Sequence, residues 1–381
     1  MNAAHQTLPR AGSDKVVFAN QLRGLAALCV VLVHYTVVYQ YMRPLLAWVL
    51  AAPPIEGSIP AFAAWIYPWW FDLGAFGVAL FFLISGFVIP FSLQKTSRLT
   101  FLLARGLRIF PTYWLALLIE WGTIYGFSRR WGKPIVFDRQ TFIYNLVLIH
   151  TAIGALGVDF VNWTLAIEVK FYGLMAILRP LIVRKLVWPL LLYAAGALAL
   201  NILQRRGAIH LPTQLVAEAM YVAFMLPGTL FHYHFSRALS TRRLVLGCGT
   251  LLAMAAACWK LGPMADQFPL KTLNYFYAFG VFAAAYAARR GFRRTSLFDF
   301  FADISYPLYL VHSLVGFSVM SYLILAWRVP YAISAVVAFG LVVLIAWVLH
   351  ISVESASIAA GRRLAVALKA GAFASFGARQ A

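Results

Sequence analysis

Between residues 16 and 352 the chain returns repeatedly to apolar runs of about 20 residues, parted by short clusters of Lys and Arg. A helix of that length rises about 30 Å, the thickness of a bilayer's hydrocarbon core. The runs fall at about 16–40, 72–93, 106–126, 162–178, 186–203, 214–235, 243–261, 271–288, 300–324 and 331–352. The predicted fold is therefore all-α, a polytopic membrane protein with about ten transmembrane helices. Composition agrees, since 62% of the 381 residues are hydrophobic and 12% charged, unlike any ordinary soluble domain. One further apolar piece, 141–149, is too short to cross and is expected to be re-entrant or interfacial. Outside a membrane domain of residues 16–355, residues 1–15 and 356–381 read as tails.

The formal net charge of +20 raises nucleic acid as a partner. The basic residues, however, cluster between the hydrophobic runs, which is the pattern of topology determinants beside an anionic leaflet. The lipid bilayer is thus the expected partner, and nucleic acid is not. With ten crossings both termini share one side of the membrane. Of the 32 Lys and Arg residues, twenty then fall on that side, ten on the other, and Arg23 and Lys170 lie inside helices. The excess places both termini in the cytoplasm, with the protein in the inner (plasma) membrane. A crossing at 141–149 would invert every later segment and turn the basic clusters outward. The first run is long and lacks a small-residue cleavage site, so it is expected to stay as a helix. Cys29, Cys248 and Cys258 sit in apolar runs without metal-ligand spacing, and no metal is expected.

Against this apolar background a few polar side chains stand out. Arg23 and His34 are eleven residues apart in the first run. At about 100° per residue that is three turns plus roughly 20°, so both lie on one stripe, roughly 16 Å apart. An arginine within a membrane helix costs at least ~2.5 kcal/mol and should face a partner or a wet cavity. A snorkelling arginine and a helix-gluing histidine would satisfy the same pattern. Ser85-Gly86 lies deep in the second run, the glycine suited to close helix approach. Arg105 and Arg108, three apart, share a face at the cytoplasmic boundary, where they are either positive-inside charge or a phosphate clamp.

Glu168 and Tyr172 share a face at i, i+4, while Lys170, about 200° from Glu168, does not. The depth of Glu168 resembles that of His34, and a carboxylate that orients a histidine is a usual general-base arrangement. Tyr306, Tyr309 and His312 form a polar stripe opening another helix, and Glu354 is expected to pair with basic residues near the last span. His150, His210, His232 and His234 sit near helix ends and are assigned no chemistry.

Five blocks together resemble the acyltransferase-3 family of integral membrane acyltransferases. They are Arg23-Gly-Leu-Ala-Ala…His34-Tyr, the Gly77–Phe87 stretch with Ser85-Gly-Phe, Arg105-Gly-Leu-Arg-Ile-Phe-Pro-Thr-Tyr-Trp114, Trp163–Tyr172 around Glu168, and Ile304-Ser-Tyr-Pro-Leu-Tyr-Leu-Val-His312. They occur in the family's order and cover about residues 20–355. The resemblance implies transfer of an acyl group, most often acetyl, from acyl-CoA (acetyl-CoA) to a hydroxyl of a cell-envelope glycan or another hydroxylated acceptor. It makes His34 the catalytic histidine, as general base or acyl carrier, and places Arg23 on the donor path. Arg105 and Arg108 would meet the nucleotide phosphates, and Ser85, Glu168 and Tyr309 fall in motif positions. Ala79 departs from the family, where an acidic or polar residue is common. No fused extracytoplasmic hydrolase-like domain is expected. The competing readings are a transporter of a glycan precursor or small anion using the same polar stripe, and an enzyme whose acceptor is a small metabolite or antibiotic.

Overall fold

A computed structural model describes residues 16–377, and the predicted tail 1–15 lies outside the described residues. Every regular element among the described residues is helical. In chain order the principal helices are α1 (Val17–Tyr41), α2 (Leu73–Leu93), α3 (Arg98–Trp131) and α4 (Arg139–Leu146). They continue with α5 (Asn162–Ile177), α6 (Trp188–Arg205), α7 (Thr213–Phe235), α8 (Thr241–Leu261) and α9 (Leu270–Ala287). The last are α10 (Ser296–Asp303), α11 (Ser305–Val311), α12 (Leu314–Trp327), α13 (Tyr331–Leu349) and α14 (Ser355–Gly377).

Six helical stretches are long and apolar enough to cross a membrane on their own: α1, α2, α3, α7, α8, and α13 running on into α14. A seventh appears if α11 and α12, bent by 50° at His312-Ser313, count as one span. The other three predicted crossings fall on α5, α6 and α9, which are helical but not long and apolar enough to count among these spans. α5 has 16 residues, and Arg179-Pro180 follows it. α6 and α9 spend part of their 18 residues on Asn201, Gln204 and Arg205, or on Lys271, Thr272 and Asn274. The short piece predicted at 141–149 is the eight-residue α4, about 12 Å long and too short to cross. Asp138 caps α4 at the Thr141 N–H, and buried Asn145 ties the following loop back through Leu156 O and the Val158 N–H. Residues 356–377 of the predicted tail belong to α14, which packs on α3 where Gly361 meets Ala104.

Two helices make the centre. In α7 nearly every residue from Val216 to Tyr233 is buried, and α2 is buried over most of its length. They cross where Gly86 of α2 meets Gly228 of α7. A Cβ on Gly86 would run into the Met225 carbonyl, and one on Gly228 into the Leu83 carbonyl, so only glycine allows this approach. Gly77 does the same for α1, where a Cβ would come 2.8 Å from Val30 Cγ2 and 2.9 Å from Ala26 O. Asp72 starts α2 by accepting from the N–H groups of Gly74 (2.8 Å) and Ala75 (3.1 Å). The Gly77 contact packs α1 directly on α2.

Candidate active site

α1 is α-helical to Val33 and then takes one π-helical turn, His34–Val38. Such turns leave the ordinary ladder locally and often accompany functional sites. One carbonyl of the turn, that of Tyr35, accepts the Tyr331 hydroxyl from α13. The turn presents His34, half-buried, to His312 at the break between α11 and α12. His34 Nδ1 lies 2.7 Å from His312 Nε2, with ring centroids 4.8 Å apart and planes 13° off parallel.

The tautomers follow from the other side of His312. Its Nδ1 faces only carbonyls, those of Tyr309 (2.8 Å) and Leu308 (3.1 Å), so Nδ1 carries the proton and donates. With both rings neutral, His312 Nε2 accepts and His34 Nδ1–H donates. The lone pair of His34 is thereby left on Nε2, free to take a proton. His312 itself is fully buried. Its bond to Nδ1 fixes the orientation of the His34 ring.

His34 lines a cavity of about 770 Å³ that runs between α1, α2, α5, α7 and α9. Behind it lies a chamber of about 90 Å³ lined by Arg23, Ser85, Arg108, Glu168, Tyr172 and Tyr306 among others. Val78 and Tyr309 belong to both walls and so form the partition. The Tyr309 hydroxyl is held by Thr164 Oγ1 at 2.8 Å, and its ring lies 5.6 Å from that of His312. Arg23 in turn lines a third cavity, of about 390 Å³, at the start of α1 with Arg294, Asp299 and Asp303. Three cavities thus follow one another along α1, joined at Arg23 and at Tyr309.

In the chamber, Glu168 Oε1 accepts from Tyr172 (2.5 Å) and Ser85 (3.2 Å). The histidine–carboxylate pair predicted from depth is corrected here: Glu168 is bonded to Ser85 and Tyr172, and His34 to His312. Depth along a helix is one coordinate of three, and the azimuth of α5 turns Glu168 into the chamber with Arg23, Ser85 and Arg108, away from His34. Arg108 faces the same chamber, and Arg105 donates to Ser92 Oγ (2.7 Å) with its guanidinium over the rings of Tyr172 (5.4 Å) and Phe101 (5.7 Å). Two guanidinium groups against one carboxylate leave the chamber wall net positive. Neither Arg23 nor Arg108 is in an ion pair among the described residues. Such a wall suits an anionic or strongly dipolar ligand. Lys170, predicted to face away from Glu168, does so and pairs with Glu218 of α7 at 2.7 Å. Ala79 is fully buried. Glu354 pairs with His350 at 2.8 Å, not with an arginine or lysine.

A family model described as an acyltransferase domain matches residues 16–351. The chain belongs to the acyltransferase-3 family. It is a multi-pass membrane protein. It is similar to Nodulation protein 10 of Rhizobium leguminosarum bv. viciae, 31% identical over 150 residues, a stretch that covers 33% of this chain and 36% of that protein. The match therefore spans about a third of that relative's length. No solved structure matches. Of the predicted site residues, Arg23, Ser85, Arg108, Glu168 and Tyr309 meet at one chamber, with Arg105 beside it and His34 across the Tyr309 partition. Sequence reasoning placed His312 in a polar stripe without a role, and it passed over Asp72, Glu218 and Lys271, which line the larger cavity. The signal for these was their place in otherwise apolar runs.

Proposed function

We propose that this acyltransferase moves an acyl group, in the first instance acetyl, from cytoplasmic acyl-CoA to a hydroxyl of a cell-envelope glycan. On this reading the chain crosses the inner (plasma) membrane ten times, with α5, α6 and α9 as its shorter crossings and both termini in the cytoplasm. The excess of Lys and Arg on that side supports the orientation. The observation that carries the reading is the free Nε2 of His34 in the 770 Å³ cavity, one partition away from an arginine-lined chamber.

The donor's phosphates would meet Arg105 and Arg108, and the pantetheine arm would pass Arg23 into the narrow chamber. The thioester would then lie near Tyr309 and His34. His34 Nε2 takes the proton of the acceptor hydroxyl as the oxygen attacks the thioester carbonyl. The C–O bond forms, the C–S bond breaks, and the imidazolium returns its proton to the CoA sulfur. The products are the ester and free CoA thiol. His312 stabilises the transient imidazolium through the Nδ1–H bond. Glu168 holds Tyr172 and Ser85 in place and balances part of the arginine charge.

The test is transfer of radiolabelled acetyl from acetyl-CoA in membranes carrying the wild-type chain or His34→Ala. Label entering envelope glycan with the wild type and lost with the variant is the expected outcome. Turnover that survives His34→Ala, or none with any acyl-CoA together with no CoA binding, refutes it.

A further inference from the structure

We propose that the 770 Å³ cavity selects acceptors that carry no net charge, with Glu218 as the group that receives an acceptor hydroxyl. This rests on the reading of that cavity as the acceptor side of the reaction. The charged groups that bound it are closed into two ion pairs. Lys271 of α9 pairs with Asp72, and Lys170 of α5 pairs with Glu218 of α7. Asp72, Glu218 and Lys271 line the cavity, and Lys170 sits behind Glu218, bonded to Thr151 Oγ1 at 3.1 Å.

Both carboxylates are buried, with side-chain exposures of 7% and 4%, so each depends on its lysine. A charged ligand must either break one of these pairs or enter unpaired, and both leave a buried charge without compensation. A neutral polyol or sugar unit disturbs neither pair.

The two carboxylates differ in what they have left to offer. Asp72 is saturated by Lys271, by the Gly74 and Ala75 N–H groups and by a longer bond from Tyr67. Glu218 is 3% exposed, and its Oε1 has no hydrogen-bond partner among the described residues. A buried acceptor atom left unmatched beside a cavity marks where a ligand donor binds. Beside it stand the rings of Trp163 and Tyr221, 5.4 Å apart, and Tyr275 stacked on Tyr221 at 5.8 Å. These give an apolar face for the C–H side of a sugar ring while Glu218 takes a hydroxyl.

The experiment compares three probes of one ring shape on the full-length protein in nanodiscs: methyl glucoside, methyl glucuronide and methyl glucosaminide. Binding is read by calorimetry, and His34-dependent release of CoA thiol from acetyl-CoA is followed separately in the same preparation. The neutral glycoside is expected to bind at least tenfold more tightly than either charged one. Glu218→Gln frees Lys170 and should shift the preference at least tenfold towards the glucuronide. Lys170→Met frees Glu218 and should shift it towards the glucosaminide. Opposite shifts cannot arise from misfolding. Equal binding of all three, binding of none, or unchanged preferences in both variants overturns the inference. Loss of thiol release with glucoside binding intact would count against the proposed chemistry instead.

Discussion

Replacing His312 by Phe removes the acceptor for the His34 Nδ1–H while keeping a flat ring beside Tyr309. The Nδ1–H would then be left unmatched at a site where His312 is fully buried and His34 half-buried. An unmade buried hydrogen bond costs about 1–3 kcal/mol. At about 1.4 kcal/mol per factor of ten, kcat should fall ~5- to 150-fold, because the bond matters most when His34 carries the proton. His312→Gln should lose less than His312→Phe. Its side-chain oxygen can accept from His34 while its amide donates to the carbonyls that His312 now serves. The donor KM should not move, since His312 does not line the arginine chamber. The assay is initial-rate release of CoA thiol by purified protein, with donor concentration varied. Wild-type kcat in His312→Phe, or equal losses in the Phe and Gln variants, would refute the assignment of tautomers.

Two further outcomes follow from the same geometry. Removing a charge-assisted hydrogen bond at about 1.5–3 kcal/mol, Arg108→Ala and Arg23→Ala should each raise the donor KM ~12- to 150-fold. Arg23→Lys should recover only part of this, because the planar fork is lost, and a donor KM unchanged in Arg108→Ala would remove the chamber from the donor path. Gly86→Ala should sharply reduce the yield of folded protein on detergent size-exclusion chromatography, because its Cβ would meet the Met225 carbonyl. Gly126→Ala, with open space around it, serves as the control and should leave the yield unchanged.

How much was legible in advance differs between the fold and the site. The helical class and the positions of the helices were readable, because a run of apolar residues has to become helix once it lies in lipid. The crossing count was less so. α5, α6 and α9 carry polar residues for the interior, and hydropathy alone does not separate an inward-facing polar group from a break in a span. For the candidate site, the sequence marked individual polar residues in apolar runs but not their grouping: Arg23, Ser85, Arg108, Glu168 and Tyr309 share one chamber, and His34 is one partition away.

What the sequence determined by itself was position along each helix, because the rise per residue is constant and polar residues in apolar runs must turn away from lipid. Tertiary structure alone decided who faces whom. His34 meets His312 because a bend at His312-Ser313 and a π-helical turn at His34 bring the two rings together, and neither break is written in hydrophobic periodicity. Glu168 meets Ser85, and Lys170 meets Glu218, because the rotation of α5 between α2 and α7 is set by packing. The Gly86–Gly228 crossing is part of that packing. Rotation about a helix axis costs nothing in local hydrogen bonding, so only contact with neighbouring helices can choose it.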